Sequence, residues 1–444
     1  MLYRPVCFIL FFLSFALWSC CDEPPTGGAD EPVLQKGDTA VRTLVVYMMA
    51  ENRLASFASS DIDEVKKGAV SVPSDCRLFV FVDDCQNPCV FQFYNRKGDG
   101  VKELVYSFTN DFCSSDTAAL GRVLGDLLDD YPTNVLDLVL WSHGDGWLPD
   151  NARSAAPMRS IGVDNGKNNY YSDLTTRTIE IEELAALLAG LPVKVERLMF
   201  DACFMQSVEV AYALRNAVKW VIASPAEIPG PGAPYETLVG AFFASDGVTD
   251  ILDYYKVAYD GEPNGVVLSA AYMPAMQGLA DATYSNVVTY FNVNKTREYA
   301  DVFAYLPGGA QGLYSVLPCF YDANAVMKKY LSAVEYEAWK RAFDAAVPFV
   351  VNNSNWYSAY KNDSISVDTQ LCSGLSMYMP QKTSRYTALN SDFTFTEWFG
   401  AAGWGAANPC NSRSGVDQIP VCSADARQPA CSRGCHAGKE ARLF

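Results

Sequence analysis

The sequence predicts an α/β fold whose central sheet is mainly parallel and is flanked by helices on both faces. Continuous apolar runs of strand length alternate along the chain with amphipathic helical segments. An unbroken apolar run is typical of a strand covered on both sides, and strands separated by helices are joined by parallel crossover connections. The composition agrees with this class, because 50% of the residues are hydrophobic and only 19% are charged, which supplies apolar material for a large core.

The predicted strands follow the apolar runs in chain order. Two of them, at 90–94 and 103–108, alternate between apolar and polar residues, as in a hairpin that extends a sheet. The predicted strands are Thr43–Ala50, Arg77–Val82, Val90–Tyr94, Glu103–Phe108, Val135–Trp141, Arg197–Phe200 and Trp220–Ser224.

The predicted helices lie between these strands and in the C-terminal half. Ser114, Ser115 and Asp116 precede one of them and are candidates for its N-cap, because short polar side chains accept hydrogen bonds from the N–H groups of a first turn. Residues 236–400 are interpreted as completing the same fold rather than as a separate domain. The predicted helices are Asp61–Lys67, Thr117–Leu128, Ile181–Leu191, Ser207–Ala217, Ile251–Tyr259, Ala325–Val347 and Phe395–Phe399.

Residues 1–20 predict a lipoprotein signal peptide. A single arginine precedes the apolar run Val6–Trp18, which is too short to span a membrane as a mature helix but suits a signal-peptide core. The leader ends in a small residue followed by Cys20, which resembles a bacterial lipobox. Cys20 is therefore the predicted lipidation site, with Cys21 as the alternative cysteine and an ordinary signal peptide as the alternative leader.

Four regions are predicted along the chain. After the leader, residues 21–40 are polar and contain Pro and Gly, as expected of a tether. Residues 41–400 form the predicted folded domain, within which the long Gly- and Asn-rich loop 145–178 is too long to be a plain connection. Residues 401–444 are a tail of unassigned role. The expected location is a bacterial membrane, with the protein exported and facing the periplasm or the cell surface.

The charge balance excludes one class of partner. The chain has 34 basic and 51 acidic residues, for a formal net charge of −17. Such a surface repels the phosphates of nucleic acids, so nucleic acid is not an expected partner. The same charge attracts cationic substrates, although plain solubility also accounts for it.

Histidine is scarce in this chain, which contains only His143 and His436. His143 comes directly after the predicted strand Val135–Trp141, and Cys203 follows the predicted strand Arg197–Phe200. The carboxyl ends of parallel strands meet at one edge of a sheet, where such folds bind ligands. The two side chains are therefore expected to face each other if their strands are neighbours.

A thiol beside an imidazole can perform covalent acyl transfer. The imidazole takes the thiol proton, and the thiolate of Cys203 then attacks a carbonyl carbon. Gly144, which follows the histidine, has no side chain to hold a substrate away from its backbone N–H. Together with the N–H of Cys203 it is expected to form an oxyanion hole, in which one donor typically lowers the barrier by roughly 3 kcal/mol.

These motifs resemble those of the clostripain family of cysteine peptidases, which belongs to the caspase-like group. The pair Leu-Trp-Ser-His-Gly and Asp-Ala-Cys, each at a strand end and in this order, carries the resemblance. The likeness extends over roughly residues 40–400. The matching segments are 44–54, 140–144, 201–203, 206–216 and 221–235.

The resemblance implies a caspase-like fold, a Cys/His dyad and cleavage of protein or peptide substrates after arginine or lysine. A pocket for such a side chain needs a carboxylate. Asp201 matches the acidic position of the family, with a structural capping role as its alternative. Strand alternation places Asp201 on the same side of the strand as Cys203. Glu227, in the loop after the next strand, is a second candidate.

The resemblance also implies activation by internal cleavage between the histidine and the cysteine. The basic residues of the loop are the candidate self-cleavage sites, and they are Arg153, Arg159, Lys167 and Arg177. The chemistry itself requires no cofactor. Some members of the family depend on calcium, so calcium is allowed by resemblance, but the sequence contains no series of ligands like that of an EF-hand.

Two alternatives remain open at the level of sequence. The chain could be a catalytically silent surface lipoprotein that binds peptide or glycan, a role that an aromatic content of 13% suits. Both dyad residues and the oxyanion glycine argue against it. Among enzymes, the alternative is a caspase-like peptidase of different specificity. Cys431, Cys435 and His436 fit no standard zinc spacing, so no metal site is predicted.

Overall fold

A nine-stranded sheet runs through the centre of the structure, in the strand order β12-β8-β7-β6-β5-β1-β2-β3-β4. Its strands are β1 (Arg42–Met49), β2 (Cys76–Asp83), β3 (Cys89–Arg96), β4 (Asp99–Ser107), β5 (Leu136–Trp141), β6 (Val195–Asp201), β7 (Val218–Ala223), β8 (Val267–Tyr272) and, after three short strands, β12 (Phe349–Asn352). The shorter strands are β9 (Gly309–Gln311), β10 (Tyr314–Val316), β11 (Tyr321–Asp322), β13 (Asn355–Ser358), β14 (Asp363–Ser366) and β15 (Ser376–Met377), and they pair as β9-β10, β11-β15 and β13-β14.

The computed structural model describes residues 33–84, 86–148, 160–166, 178–245, 247–291, 299, 301–306, 309–311, 314–359, 363–366 and 369–407. Several predictions fall outside these residues. They are the leader with Cys20 and Cys21, the candidate cleavage sites Arg153, Arg159, Lys167 and Arg177, and the tail from residue 408 onward.

The prediction of a mainly parallel sheet is confirmed. The five central strands, β7-β6-β5-β1-β2, are parallel to one another, and antiparallel strands extend the sheet at both edges. The predicted hairpin corresponds to β3 and β4, which pair antiparallel with a register shift between Val90 and Phe91. Mixed edges on a parallel core are common in large sheets.

Helices cover both faces of the sheet, as predicted. The helices are α1 (Ala55–Gly68), α2 (Thr117–Asp130), α3 (Ile181–Ala189), α4 (Val208–Leu214), α5 (Tyr235–Phe243), α6 (Gly247–Ala258), α7 (Met276–Asn286), α8 (Ala323–Tyr330), α9 (Ala333–Ala346), α10 (Thr387–Phe393), α11 (Glu397–Ala401) and α12 (Trp404–Ala407). None of the helices in the described ranges combines the length and the apolar character needed to cross a membrane.

The continuous apolar run of β1 serves two separate cores. Val45, Tyr47 and Met49 pack into the core shared with α2, α3 and α4. The intervening residues Leu44, Val46 and Met48 pack into the core shared with α1, α5 and α6. A strand covered on both faces must bury every side chain, which is why the run shows no polar alternation. All seven residues from Leu44 to Ala50 are at most 1% exposed.

One predicted helix is wrong. The segment Ala325–Val347 was expected to form a single helix, but it divides into α8 and α9. Ser332 adopts an extended conformation and caps α9, because its hydroxyl accepts from the backbone N–H of Glu335 while the Glu335 carboxylate accepts from the N–H of Ser332. This reciprocal capping box satisfies the free donors of the new helix and stabilises the break.

The structure selects one of the three N-cap candidates of α2 and extends the fold beyond residue 400. Asp116 is the N-cap of α2 among the three candidates, since its carboxylate accepts from the backbone N–H of Ala118 at 2.8 Å. At the other end, the fold continues past residue 400 through α12, whose Trp404 is buried in the core, and the unit to which the described residues belong ends at Ala407.

Candidate active site

The strands that precede His143 and Cys203 are neighbours. β5 and β6 pair in parallel, with Trp141 directly opposite Asp201. His143 and Cys203 each lie two residues beyond this matched pair, so they leave the same edge of the sheet at the same level. The Ser142 N–H extends the pairing by donating to the Asp201 carbonyl at 3.4 Å. The two strands are therefore neighbours, which is the condition under which His143 and Cys203 are expected to face each other.

Gly144 brings the two segments into direct contact. A Cβ atom placed on this glycine would lie 2.8 Å from the carbonyl oxygen of Cys203, 2.9 Å from the sulfur of Met205 and 3.0 Å from the Cβ of Ala202. Real side chains essentially never approach that closely, so only glycine allows the chain after His143 to pack on the chain around the cysteine. The glycine is thus required by packing as well as by any role of its N–H.

The Cys203 thiol is half-buried and accepts a hydrogen bond from the backbone N–H of Ile228 at 3.4 Å. Burial raises the pKa of this thiol well above its usual range, and the neighbouring carboxylate of Glu227 raises the pKa further. The N–H of Ile228 acts in the opposite direction but more weakly. The thiol is consequently neutral at pH 7 and needs a base to become a nucleophile.

The backbone turns sharply just after the cysteine. Phe204 adopts φ +60°, the left-handed conformation that residues other than glycine rarely adopt. Its N–H donates to the Ala226 carbonyl at 2.9 Å, and its buried ring stacks on Phe320 with centroids 4.8 Å apart. These contacts hold a conformation that costs about 1–2 kcal/mol. No local sequence signal marks this position, because phenylalanine is not a turn residue.

A segment of the long loop packs beside the histidine. In residues 160–166, the Gly162 N–H donates to the His143 carbonyl at 3.0 Å. The Val163 N–H donates to the Ser142 hydroxyl at 3.1 Å, and that hydroxyl donates to the Met49 carbonyl at 2.9 Å. The histidine loop is therefore clamped between the end of β1 and this segment.

Asp201 lies in the interior, 2% exposed, with a carboxylate that three donors satisfy. One oxygen accepts from the Ala233 N–H at 3.1 Å and the Tyr235 hydroxyl at 2.9 Å, and the other accepts from the Tyr255 hydroxyl at 3.0 Å. Burial raises its pKa to about 6, against these hydrogen bonds. The carboxylate fixes the loop before α5, in agreement with the structural alternative, and its role in specificity stays a prediction.

Glu227 is 6% exposed, and one of its carboxylate oxygens accepts from the Ala359 N–H at 2.7 Å. Its charge raises the pKa of the Cys203 thiol more than that of either Asp145 or Asp201 does. Of the two acidic candidates, Glu227 therefore has the stronger electrostatic influence on the thiol.

Three further carboxylates, which no sequence motif marks, cluster at the same edge of the sheet. Glu51 follows β1, Asp83 ends β2, and Asp164 lies in the 160–166 segment; each offers an oxygen within 4.8 Å of the others. They come from three distant parts of the chain without a ligand motif, so only the sheet order could have indicated their convergence. They are the residues of the described structure that could hold a metal ion.

Comparisons with known proteins identify the family to which the chain is similar. The model of the clostripain family matches residues 46–407. A secreted C11 cysteine protease from Bacteroides thetaiotaomicron, solved in complex with an irreversible peptide inhibitor, is 28% identical with a TM-score of 0.71, over 83% of this chain and all of that one.

Two further solved structures are similar. An inactive zymogen C11 protease from Parabacteroides distasonis is 25% identical with a TM-score of 0.68, over 82% of this chain and 99% of that one. A second secreted C11 cysteine protease from Bacteroides thetaiotaomicron, 20% identical with a TM-score of 0.69 over the same shares, supports the fold alone. Among curated proteins no sequence matches.

Proposed function

This chain belongs to the clostripain family and is a cysteine peptidase, and from that premise we propose that Cys203 is its nucleophile and His143 its general base. The observation that carries the proposal is the matched register of β5 and β6, which places both residues at one level of the same sheet edge. The close approach of Gly144 to the Cys203 backbone supports it independently.

The reaction begins with a neutral thiol. His143 accepts the proton of Cys203 as the sulfur attacks the carbonyl carbon of the scissile peptide bond. The resulting oxyanion accepts hydrogen bonds from the N–H groups of Gly144 and Cys203. The imidazolium then gives its proton to the departing amine, leaving a thioester on the cysteine. A water molecule, deprotonated by the same imidazole, hydrolyses the thioester and restores the thiol.

The raised pKa of the thiol favours this sequence over a resting thiolate–imidazolium pair. Burial and the Glu227 carboxylate both stabilise the neutral thiol. Proton transfer is then part of the step that forms the bond to substrate, and His143 acts as a base in that step rather than only as a counter-ion.

The proposed substrates are proteins or peptides with arginine or lysine before the scissile bond. The net charge of −17 favours cationic substrates, and Glu227 provides a carboxylate that acts electrostatically on the thiol. Asp201 already accepts three hydrogen bonds, which leaves about one of the roughly four acceptor positions of a carboxylate for a ligand. Glu227 is therefore the better placed of the two.

Self-processing and export complete the proposal. The candidate cleavage sites flank the 160–166 segment on both sides, and a relative is described as an inactive zymogen. Export with a lipid on Cys20 rests on the leader sequence, and two relatives are described as secreted. Mass spectrometry of the mature N-terminus and of the loop tests both steps: an unmodified N-terminus, or an intact loop in fully active enzyme, would contradict them.

Covalent labelling tests the nucleophile. Wild type, Cys203→Ala and the matched control Cys76→Ala, which removes another half-buried free cysteine, are treated with an arginyl acyloxymethyl ketone. We expect one adduct, on Cys203, in wild type and in the control, and neither adduct nor peptide cleavage in Cys203→Ala. Cleavage retained by Cys203→Ala would refute the assignment.

A peptide library tests the specificity. Wild type should cut after arginine or lysine, and Glu227→Gln should reduce that preference. If Glu227→Gln and Asp201→Asn both keep the wild-type preference, the basic pocket is built from other residues. If wild type shows no basic preference, the specificity proposal is wrong while the nucleophile assignment is unaffected.

A further inference from the structure

Phe320 touches both of the segments that carry the proposed dyad, although it belongs to neither. Its ring is 1% exposed and stacks on the ring of Phe204, with centroids 4.8 Å apart and planes 11° from parallel. The same ring lies against Gly146, three residues after His143, since a Cβ built on this glycine would be 2.9 Å from the Cε1 atom of the ring. Phe320 therefore fills the space between the turn after Cys203 and the loop after His143.

Two left-handed backbone turns flank this ring. Phe204 has φ +60° and Gly146 has φ +70°. The turns also meet each other, because the Cβ built on Gly146 would lie 2.8 Å from the Phe204 carbonyl oxygen. A residue other than glycine keeps such a conformation only where its surroundings enforce it. The stacked ring of Phe320 is part of those surroundings, so it acts on the course of the chain directly after Cys203.

Buried hydrogen bonds fix the place of Phe320, which directly precedes β11. Its carbonyl accepts from the Tyr305 N–H at 2.8 Å. The next residue but one, Asp322, is fully buried, and its carboxylate accepts from the Tyr305 hydroxyl at 2.6 Å and from the Ser373 N–H at 2.7 Å. A satisfied buried network of this kind is rigid. The ring is thus carried by a strand that distant parts of the chain hold in one position.

A further connection joins this strand to the segment of the cysteine. β11 pairs with β15, in which Ser376 lies opposite Asp322. The Ser376 N–H donates to the Gln206 carbonyl at 3.0 Å, and the Ser376 hydroxyl donates to the same oxygen at 3.2 Å. Gln206 lies three residues after Cys203 in the chain. The strand next to Phe320 is therefore fixed to the cysteine segment, while the ring reaches the histidine loop.

We propose that Phe320 is a positioning residue, whose ring sets the separation between the imidazole of His143 and the thiol of Cys203. The inference rests on the proposed function, because it assumes that these two groups react together. Protein interiors are packed as densely as crystals of small molecules, so loss of the ring lets the two segments shift relative to each other. Misplacement of a reacting group by about 1 Å costs on the order of 100-fold in rate.

Steady-state kinetics of Phe320→Leu test the effect on turnover. The variant keeps an apolar side chain but removes the flat ring. We expect kcat to fall about 100-fold with KM nearly unchanged, because the ring is 1% exposed and out of reach of the substrate. The matched control Phe343→Leu removes a ring in α9 that is 3% exposed and packs on Trp339, and it should keep the wild-type rates.

The proteins must be folded and in the same state of the loop when they are compared. Circular dichroism and Tm show whether each variant is folded at the assay temperature. If Phe320→Leu does not fold, Phe320→Met takes its place, because the flexible methionine side chain fills irregular gaps. Mass spectrometry determines the state of the 145–178 loop in each protein, and trypsin cuts the loop where self-cleavage fails.

A double-mutant cycle on the thiol separates positioning from a general loss of structure. Alkylation of Cys203 by iodoacetamide at pH 7 is measured in wild type, Phe320→Leu, His143→Ala and the double variant. His143→Ala should slow alkylation, because the neutral thiol loses its base. Phe320→Leu should slow it as well, but should have no further effect once His143 is removed. A purely structural role would slow alkylation equally in both backgrounds.

Three outcomes would overturn the proposal. The first is a wild-type kcat in Phe320→Leu, and the second is an equal effect of this substitution on alkylation with and without His143. The third is a parallel loss of kcat in Phe343→Leu, which would indicate a general effect of removing a buried ring. Unchanged turnover and alkylation in His143→Ala would instead refute the dyad itself, so failure of the proposed function is distinguished from failure of the positioning role.

Discussion

The strain of the left-handed turn just after Cys203 can be measured by comparing two truncations of Phe204. Both Phe204→Ala and Phe204→Gly remove a ring that is 1% exposed and stacked on Phe320. Each should therefore lose about 3–5 kcal/mol of stability from the cavity alone. The two variants differ in one respect: alanine keeps the steric penalty of φ +60°, and glycine does not.

The expected difference follows from two opposing contributions. Release of the left-handed penalty favours glycine by about 1–2 kcal/mol. The larger conformational entropy of glycine in the unfolded chain favours alanine by roughly 0.5–1 kcal/mol. The net advantage of Phe204→Gly over Phe204→Ala is thus about 0 to 1.5 kcal/mol, although glycine removes more atoms. The matched control is Phe200, also 1% exposed but within β6, where the alanine variant should be the more stable one.

Urea unfolding followed by circular dichroism, in a Cys203→Ala background, measures all four variants. The readout is the change in the glycine–alanine stability difference between positions 204 and 200, since this change does not depend on the size of the cavity. Equal m-values are needed for the comparison. If the glycine and alanine variants differ in stability by the same amount at position 204 as at position 200, the turn is not strained, and packing does not force the conformation beside Cys203.

Three other substitutions address the site. Gly144→Ala should lower kcat/KM by about 100-fold or more, because its Cβ would lie 2.8 Å from the Cys203 carbonyl oxygen. The control Gly125→Ala, whose Cβ meets no atom within 4 Å, should leave steady-state rates unchanged. Glu227→Gln should lower the pKa of the Cys203 thiol, because the Glu227 carboxylate raises that pKa. Alkylation of the thiol by iodoacetamide at pH 7 should therefore be faster in the variant. An unchanged pH profile of alkylation would contradict the electrostatic role of Glu227. Burial raises the pKa of Asp61 to about 8, so its protonation stabilises the folded state fully below about pH 4 and that stability is lost as pH rises through 8. The free energy of unfolding of Asp61→Asn, measured in urea, should therefore fall less than that of wild type between pH 5 and 8. Equal losses of stability in the two proteins would contradict the raised pKa of Asp61.

The placement of His143 and Cys203 at one edge of the sheet could be predicted because it depends on general properties of parallel sheets. Each of His143 and Cys203 follows a buried strand, and the carboxyl ends of parallel strands share an edge. The sequence left one condition open, the adjacency of the two strands, and the pairing of Trp141 with Asp201 supplies it. The division between α8 and α9 could also have been predicted from the sequence, because Ser332 and Glu335 have the residue types and spacing of a capping box. The continuous apolar periodicity of the segment instead favoured a single helix.

Other features depend on contacts between distant segments, which local patterns do not encode. The left-handed conformation of Phe204 is held by Ala226 and Phe320, neither of which is near it in sequence. The donors around Asp201 come from Tyr235 and Tyr255, so strand alternation could not show that its carboxylate is already occupied. In each case a tertiary contact decides the role that the residue type leaves open.

The order of the strands gives the acidic cluster its relation to catalysis. In the sequence β6-β5-β1-β2, the proposed dyad follows one pair of strands, while Glu51 and Asp83 follow the adjacent pair. The 160–166 segment crosses from one pair to the other, bonding to the His143 carbonyl at one end and to the Glu51 carbonyl at the other. Asp164, a member of the cluster, lies in this segment two residues after Gly162, whose N–H bonds to the His143 carbonyl. The acidic cluster and the loop of His143 are therefore joined by a short, continuous chain of backbone contacts.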